Sequence, residues 1–329
     1  MTAPSTPASP DRIVDIATGY MGAKQLFAAA RVGLFRALAE GERDVAELAS
    51  ATGVSERMAR ILADAMNGLG LLERRAGRYS LAPDAAAHLT GEGDLDLHPF
   101  LAFLNEISYG HWLQFDTTVD TTKPGELAMD EERWKSFMAG VMRYNALHAA
   151  MLARSFDFGP YRDLLDLGGL SPAFAIGALQ ANPELSARFV FDPQSSEAIA
   201  EALAAAGLTD RARIDPAATA EADPGGEHDL VMVNHVIHRF TAEQNRAILA
   251  NARAAARAGA TLLLLDFLLD DDDRQRPIDA LHAGEYLVID GTVVYPESEV
   301  TAWLTAAGWR QREVLALPGS PRVIVAEAV

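Results

Sequence analysis

The apolar positions of this chain change their period several times along its length. From Asp11 to Ala39 they recur at helical spacing, with Gly19, Gly22 and Gly33 as weak points, which predicts two helices with a break rather than one. Asp44 to Ala49 reads as a short helix, and Gly53-Val54-Ser55 supplies a turn and an N-cap for another from Glu56 to Leu69. Gly70 to Leu81 then alternates around a Gly-containing turn, the pattern of a β-hairpin. Leu97 to Phe156 is helical again. After Gly159-Pro160 short apolar strands alternate with helices: strand 164–167 with helix 173–181, strand 189–191 with helix 195–206, strand 212–214 with a loop. Strand 230–233 precedes helix 242–257, and strand 261–267 is followed by a helix at 297–307 and strands at 313–315 and 322–326. Such alternation predicts an α/β doubly wound, mostly parallel sheet, with the last two strands able to form an antiparallel hairpin at one edge.

Length changes the picture only by dividing it: 329 residues exceed one typical domain and fit two. The first part, helix, helix, hairpin, is a winged-helix arrangement. DNA binding would require a basic face, but Arg57 and Arg60 share their helix with Glu56 and Asp64, and the chain carries a net charge of −18. A nucleic-acid partner is therefore not expected. With no cysteine there is no disulfide or thiolate chemistry, and a reducing, cytoplasmic location is expected. No stretch is long and apolar enough to span a bilayer, so no membrane partner is expected either. Met1 to Pro10 is rich in Ser, Pro and Ala, lacks the regions of a signal peptide and reads as a disordered arm.

Chemistry concentrates in Arg162-Asp163-Leu164-Leu165-Asp166-Leu167-Gly168-Gly169-Leu170-Ser171-Pro172. A short apolar strand ends in Asp and two glycines and a helix starts at once, which is where an α/β sheet receives a nucleotide-like ligand. Ser171 as N-cap and Pro172 at the first helical position suit the helix start. The helical stretch at 97–156 is unusually aromatic, and most of that stripe should be plain core. Phe103, Tyr109, His111, Trp112, Met142 and Asn145 are the candidates for lining a pocket for a flat, apolar ligand. Asp270 to Asp273 cannot all converge on one ion and read as a solvated loop. No spacing of His, Asp and Glu resembles a zinc or iron site, so no metal is expected.

The order of these parts resembles the small-molecule O-methyltransferases of the plant caffeic-acid and bacterial polyketide-tailoring types. The resemblance covers nearly the whole chain and rests on Gly33-Leu34-Phe35-Arg36-Ala37-Leu38, Glu47 to Val54, Leu69-Gly70-Leu71-Leu72-Glu73, Val236-Ile237-His238-Arg239-Phe240 and Ala306-Ala307-Gly308-Trp309. It implies a disordered arm at 1–10, a winged-helix dimerisation domain at 11–96, a helical bridge lining the substrate pocket at 97–158 and a Rossmann-like class I domain for S-adenosylmethionine at 159–329. A homodimer and a hydroxylated aromatic or polyketide-like small-molecule substrate are implied with it. Carried over position by position, Asp166, Gly168, Gly169 and Asn234 would meet the cofactor, Asp192 its ribose hydroxyls and Asp215 its adenine amino group. His238 would be the general base, with His235 as a rival, Asp266 would orient it, and Arg239 would meet substrate. Val294 stands where similar proteins carry a second supporting acid, and Leu170 and Pro172 stand where they carry glycines. These departures leave open another reading: the same fold catalysing rearrangement, cyclisation, elimination or hydroxylation, with the cofactor structural or absent.

Overall fold

The computed structural model describes residues 9–93 and 95–329; residues 1–8 of the expected arm lie outside it. The chain forms two compact units, one of residues up to Tyr109 together with Met129–Arg143, the other of Gly110–Ala128 together with Tyr144–Val329. The stretch at 97–158 is therefore shared between them.

In the first unit α1 (Asp11–Arg31) and α2 (Leu34–Ala39) are separated at Gly33, whose φ of 78° is a conformation that glycine adopts without a side-chain penalty. Asp44 and Glu47 close a capping box at the start of α3 (Val45–Thr52), and Ser55 caps α4 (Glu56–Gly68). The hairpin of β1 (Leu72–Arg75) and β2 (Arg78–Leu81) turns through Ala76 and Gly77, both at positive φ. Two short helices follow, α5 (Pro83–His88) and α6 (His98–Phe103). Leu34, Phe35, Leu48, Met66, Leu72 and Tyr79 meet in one core with no more than 2 % exposure. Each apolar side chain of that size stabilises the unit by about 1.5–3 kcal/mol.

After α7 (Tyr109–Trp112), α8 (Phe115–Thr121) and the long α9 (Glu131–Ser155) comes the sheet-bearing part. Its strands and helices are β3 (Asp163–Leu167), α10 (Ala173–Ala181), β4 (Ser186–Phe191), α11 (Ser196–Ala205), β5 (Ala212–Pro216), β6 (His228–Asn234), α12 (Ala242–Ala254), β7 (Ala256–Asp266), α13 (Pro277–Asp290), α14 (Glu297–Ala306), β8 (Trp309–Ala316) and β9 (Arg322–Ala328). The order across the sheet is β5-β4-β3-β6-β7-β9-β8, with β9 antiparallel to both neighbours and the other pairs parallel. Alternation along the strands builds two cores: Leu165, Val231, Leu262 and Leu264 face one side, Leu164, Met232, Leu263 and Leu265 the other. Strand order reverses between β3 and β6, so the crevice at their carboxyl ends is the switch point of the sheet.

Three expectations need correction. Helix α13 was not read from the sequence, although Pro277 marks its first turn. At α10 the N-cap is Pro172 rather than Ser171, whose Oγ accepts from the Ala173 amide one step earlier, at 3.3 Å. Asp270 and Asp271 are not merely solvated: Asp270 pairs with Arg322 at 2.6 Å, and Asp271 accepts from the backbone and hydroxyl of Ser298 in the first turn of α14.

Candidate active site

The polar residues at the switch point sit at strand ends or in the segments that follow them. Asp166 lies within β3 and is followed by Gly168 and Gly169, with φ of 76° and 89°. A Cβ at Gly168 would stand 2.4 Å from Thr219 Cγ2, and one at Gly169 2.8 Å from the Asn234 carbonyl oxygen, so only glycine fits either place. Around this turn the Asp166 Oδ2, Thr219 Oγ1, Arg239 Nη1 and both side-chain polar atoms of Asn234 are buried without a hydrogen-bond partner. Burial pushes the Asp166 carboxyl well above the usual carboxylate range. Unsatisfied polar groups at this density are expensive in a dry core and mark a place built for a polar ligand. Leu170 is half-buried and belongs to neither apolar cluster.

Asp192 follows β4 and accepts from the Thr219 backbone amide at 3.2 Å. Arg239, expected to face substrate, instead reaches Asp192 at 3.4 Å. Asp215 does not join this group, because Arg188 and Arg213 take both of its oxygens. Burial would raise its carboxyl, but the two guanidinium groups hold it below the ordinary value.

His238 stands on a single 3-10 turn, Ile237–Arg239, just beyond β6. The turn is pinned from behind: the Asn245 amide donates to the Ile237 and Phe240 carbonyls and the Tyr295 hydroxyl to Phe240. His238 Nδ1 lies 3.0 Å from both oxygens of Asp266, the last residue of β7, which is fully buried and also accepts from the Phe267 amide. Burial alone would raise the Asp266 carboxyl; the imidazole of His238 outweighs it and holds the group below its ordinary value. That contact places the imidazole proton on Nδ1 and leaves the Nε2 lone pair for another molecule. The ring of Tyr286 covers His238 at 4.5 Å.

Behind this pair sits His235, at a φ of 53° that histidine adopts uncommonly. Its backbone amide is held by the Leu265 carbonyl at 2.8 Å, its Nε2 is 2.9 Å from His148 Nδ1 and its Nδ1 is 4.0 Å from Asp266. Burial lowers His235 to about 4 and keeps His148 and His282 below the usual imidazole value. His282 stacks on Phe267 with centroids 3.7 Å apart, and Tyr144 packs on His148 at 4.0 Å.

The aromatic candidates divide. Trp112 donates its indole N–H to Glu285 and packs on Phe115, while Asn145 is buried in the same unit. His111 donates to the Gly125 carbonyl at 3.1 Å. Phe103 is core of the first unit, against Phe100 and Phe137, and Lys24 stands 4.3 Å from the centre of the Tyr109 ring there. Met142 is half-buried. Val294 is buried and apolar, and offers no second acid. Sequence reasoning missed Thr219, His148, His282 and Tyr286. The last two, at i and i+4 on α13, were legible as one helical face only once that helix was recognised.

Comparison with known proteins agrees over most of the chain. The O-methyltransferase domain family matches residues 108–310 and the O-methyltransferase dimerisation domain family residues 14–91. A 3-hydroxy-5-methyl-1-naphthoate 3-O-methyltransferase from Streptomyces sahachiroi is 34% identical, covering 96% of this chain and 94% of its own. A tetracenomycin polyketide synthesis 8-O-methyl transferase from Streptomyces glaucescens is 26% identical, with 94% of each chain covered. Among solved structures, human N-acetylserotonin methyltransferase superposes with a TM-score of 0.81 at 22% identity over 99% of both chains.

Proposed function

The chain belongs to the O-methyltransferase family, and from that premise we propose that it methylates a phenolic hydroxyl on an aromatic, polyketide-type small molecule, using S-adenosylmethionine and working as a homodimer. The observation that carries the reading is the pair of His238 with the buried Asp266, with a free Nε2, at the same carboxyl end of the sheet as the glycine turn. The two relatives named above are an O-methyltransferase of a hydroxynaphthoate and one of a polyketide, which supports that substrate class. The dimerisation family matching residues 14–91 supports the homodimer.

The residues at the turn fit such a cofactor. Asp166, Thr219 and Asn234 offer unpartnered donors and acceptors, Gly168 and Gly169 keep the approach free of side chains, and Asp192 stands ready for vicinal hydroxyls once Arg239 releases it. When bound, S-adenosylmethionine supplies an activated methyl group on sulfur. The protein then has to position and deprotonate. His238 Nε2 takes the proton of the substrate hydroxyl while its Nδ1–H stays on Asp266, whose carboxylate stabilises the imidazolium that results. Among the described residues Asp266 is the acid that faces His238; Val294, at the position where similar proteins carry a second acid, is buried and apolar.

Calorimetric titration with S-adenosylmethionine tests the first half: binding at micromolar strength is expected, and no heat together with no thermal shift would favour a non-methylating member of the family. Incubation with 3-hydroxy-5-methyl-1-naphthoate, or a panel of related phenols, should add the mass of one methyl group. In His238→Ala turnover should drop on the order of 10²–10⁴-fold with cofactor affinity retained.

A further inference from the structure

The fold brings together three groups that the sequence spacing did not announce. His235, His238 and Asp266 each present one ligand-competent atom, and these atoms lie within 4.8 Å of one another. We propose that His235, His238 and Asp266 form a binding site for a first-row transition dication of the zinc, cobalt or nickel type.

Side-chain shifts of about an ångström bring the three groups to the spacing of such an ion. Ligand–metal distances of about 2.0–2.2 Å at tetrahedral angles put ligand atoms about 3.3–3.6 Å apart. The Nδ1–oxygen separations here, 3.0 Å for His238 and 4.0 Å for His235, bracket that range. The separation at His235 is too long for a hydrogen bond, so that contact is unfinished while the one at His238 is complete.

A second observation points the same way. A metal-ligating imidazole donates its other ring N–H to an acceptor, which fixes the ligating tautomer. His148 Nδ1 stands 2.9 Å from His235 Nε2, on an element more than eighty residues away in sequence, and is that acceptor in the tautomer that carries its proton on Nε2. The backbone of His235 is held at a φ of 53°, and its amide donates to the Leu265 carbonyl at 2.8 Å. Two imidazoles and one carboxylate prefer borderline dications to magnesium or calcium, which demand oxygen ligands.

Coordination has a consequence that rests on the reading of His238 as the base. An ion on Nδ1 moves the imidazole proton to Nε2, with no net proton released from that ring, and Nε2 then has no lone pair for a substrate hydroxyl. Occupancy switches the base off, so the ion is an inhibitor of methyl transfer.

The test is a titration of the full-length, chelator-stripped protein with Co²⁺, read by the visible absorption of a low-symmetry cobalt site, and with Zn²⁺ as competitor. One equivalent is expected to produce the band, Zn²⁺ to remove it and millimolar Mg²⁺ to leave it unchanged. His235→Asn, chosen because asparagine tolerates positive φ, should weaken binding at least 100-fold. His148→Phe, which keeps all three ligands, should weaken it about 10–100-fold. Absence of a band in the parent protein, or a band of unchanged affinity in a cooperatively folded His235→Asn variant, overturns the site. The band is read without turnover. A cobalt site in a protein that methylates nothing would therefore refute the proposed function and leave the metal site standing. Methyl transfer insensitive to one bound Zn²⁺ would refute the switch.

Discussion

Asp266 serves three donors at zero exposure: the ring of His238, the backbone amide of the same residue and the amide of Phe267. Removing its charge while keeping its shape separates orientation from packing. Asp266→Asn should lower kcat by two to four orders of magnitude with little change in cofactor affinity, because the imidazolium loses its counter-charge and the tautomer is no longer fixed. Stopped turnover and calorimetry on the same preparation check both halves. The neighbouring histidine makes a different prediction. His235 binds its proton at about 4 when folded, against about 6.5 when unfolded, so between those values the unfolded chain takes up a proton that the folded one refuses. Stability is complete above the unfolded value and falls as pH drops toward 4. Asp266, held below its ordinary value, loses its own contribution only lower still, as pH falls through its folded value. Thermal midpoints measured from pH 7 to 4 with a chelator present should decline steeply, and less steeply in His235→Asn.

At the scale of elements, the turn between β3 and α10 is decided by backbone. Gly168→Ala asks for a side chain at a φ of 76° and drives its Cβ into Thr219, which is itself 1 % exposed. About 1–3 kcal/mol of strain is expected, seen as a lower denaturation midpoint, together with loss of cofactor heat in calorimetry. This element was legible in advance because everything it needs is local: an apolar strand, two glycines, a helix start. The Ser55 cap and the alternating strands were legible for the same reason, each written within a few residues. What stayed hidden was pairing across sequence. Nothing near Arg239 announced that it would turn to Asp192, and nothing near Asp215 announced Arg188. Helix α13 was hidden by another cause: its polar face carries His282 and Tyr286 inward, against Phe267 and His238, so its apolar period is broken where the site needs it to be.

For the molecule as a whole the question is what covers the first helix. Ile13, Val14, Ile16 and Tyr20 are more than half exposed on α1 and Met21 nearly so, and Met58, Ile61 and Leu69 add to the apolar surface of the same unit. A run of that kind is larger than scattered surface residues account for and fits an association face. The dimerisation family that matches residues 14–91 covers most of these positions, which supports a second copy of this chain as the occupant. Charge works against it. Each chain carries −18, so pairing brings like fields together, and apolar burial has to outweigh that repulsion. The Debye length is about 8 Å at physiological ionic strength, and exposed charges farther apart than that are largely screened. The dimer should therefore tighten as salt is raised from low values, the reverse of an association held by ion pairs. Light scattering or sedimentation at two salt concentrations measures it. Ile16→Glu with Tyr20→Glu should yield a monomer at micromolar concentration while the sheet-bearing unit still binds S-adenosylmethionine. A variant that stays dimeric would show that the association face lies elsewhere.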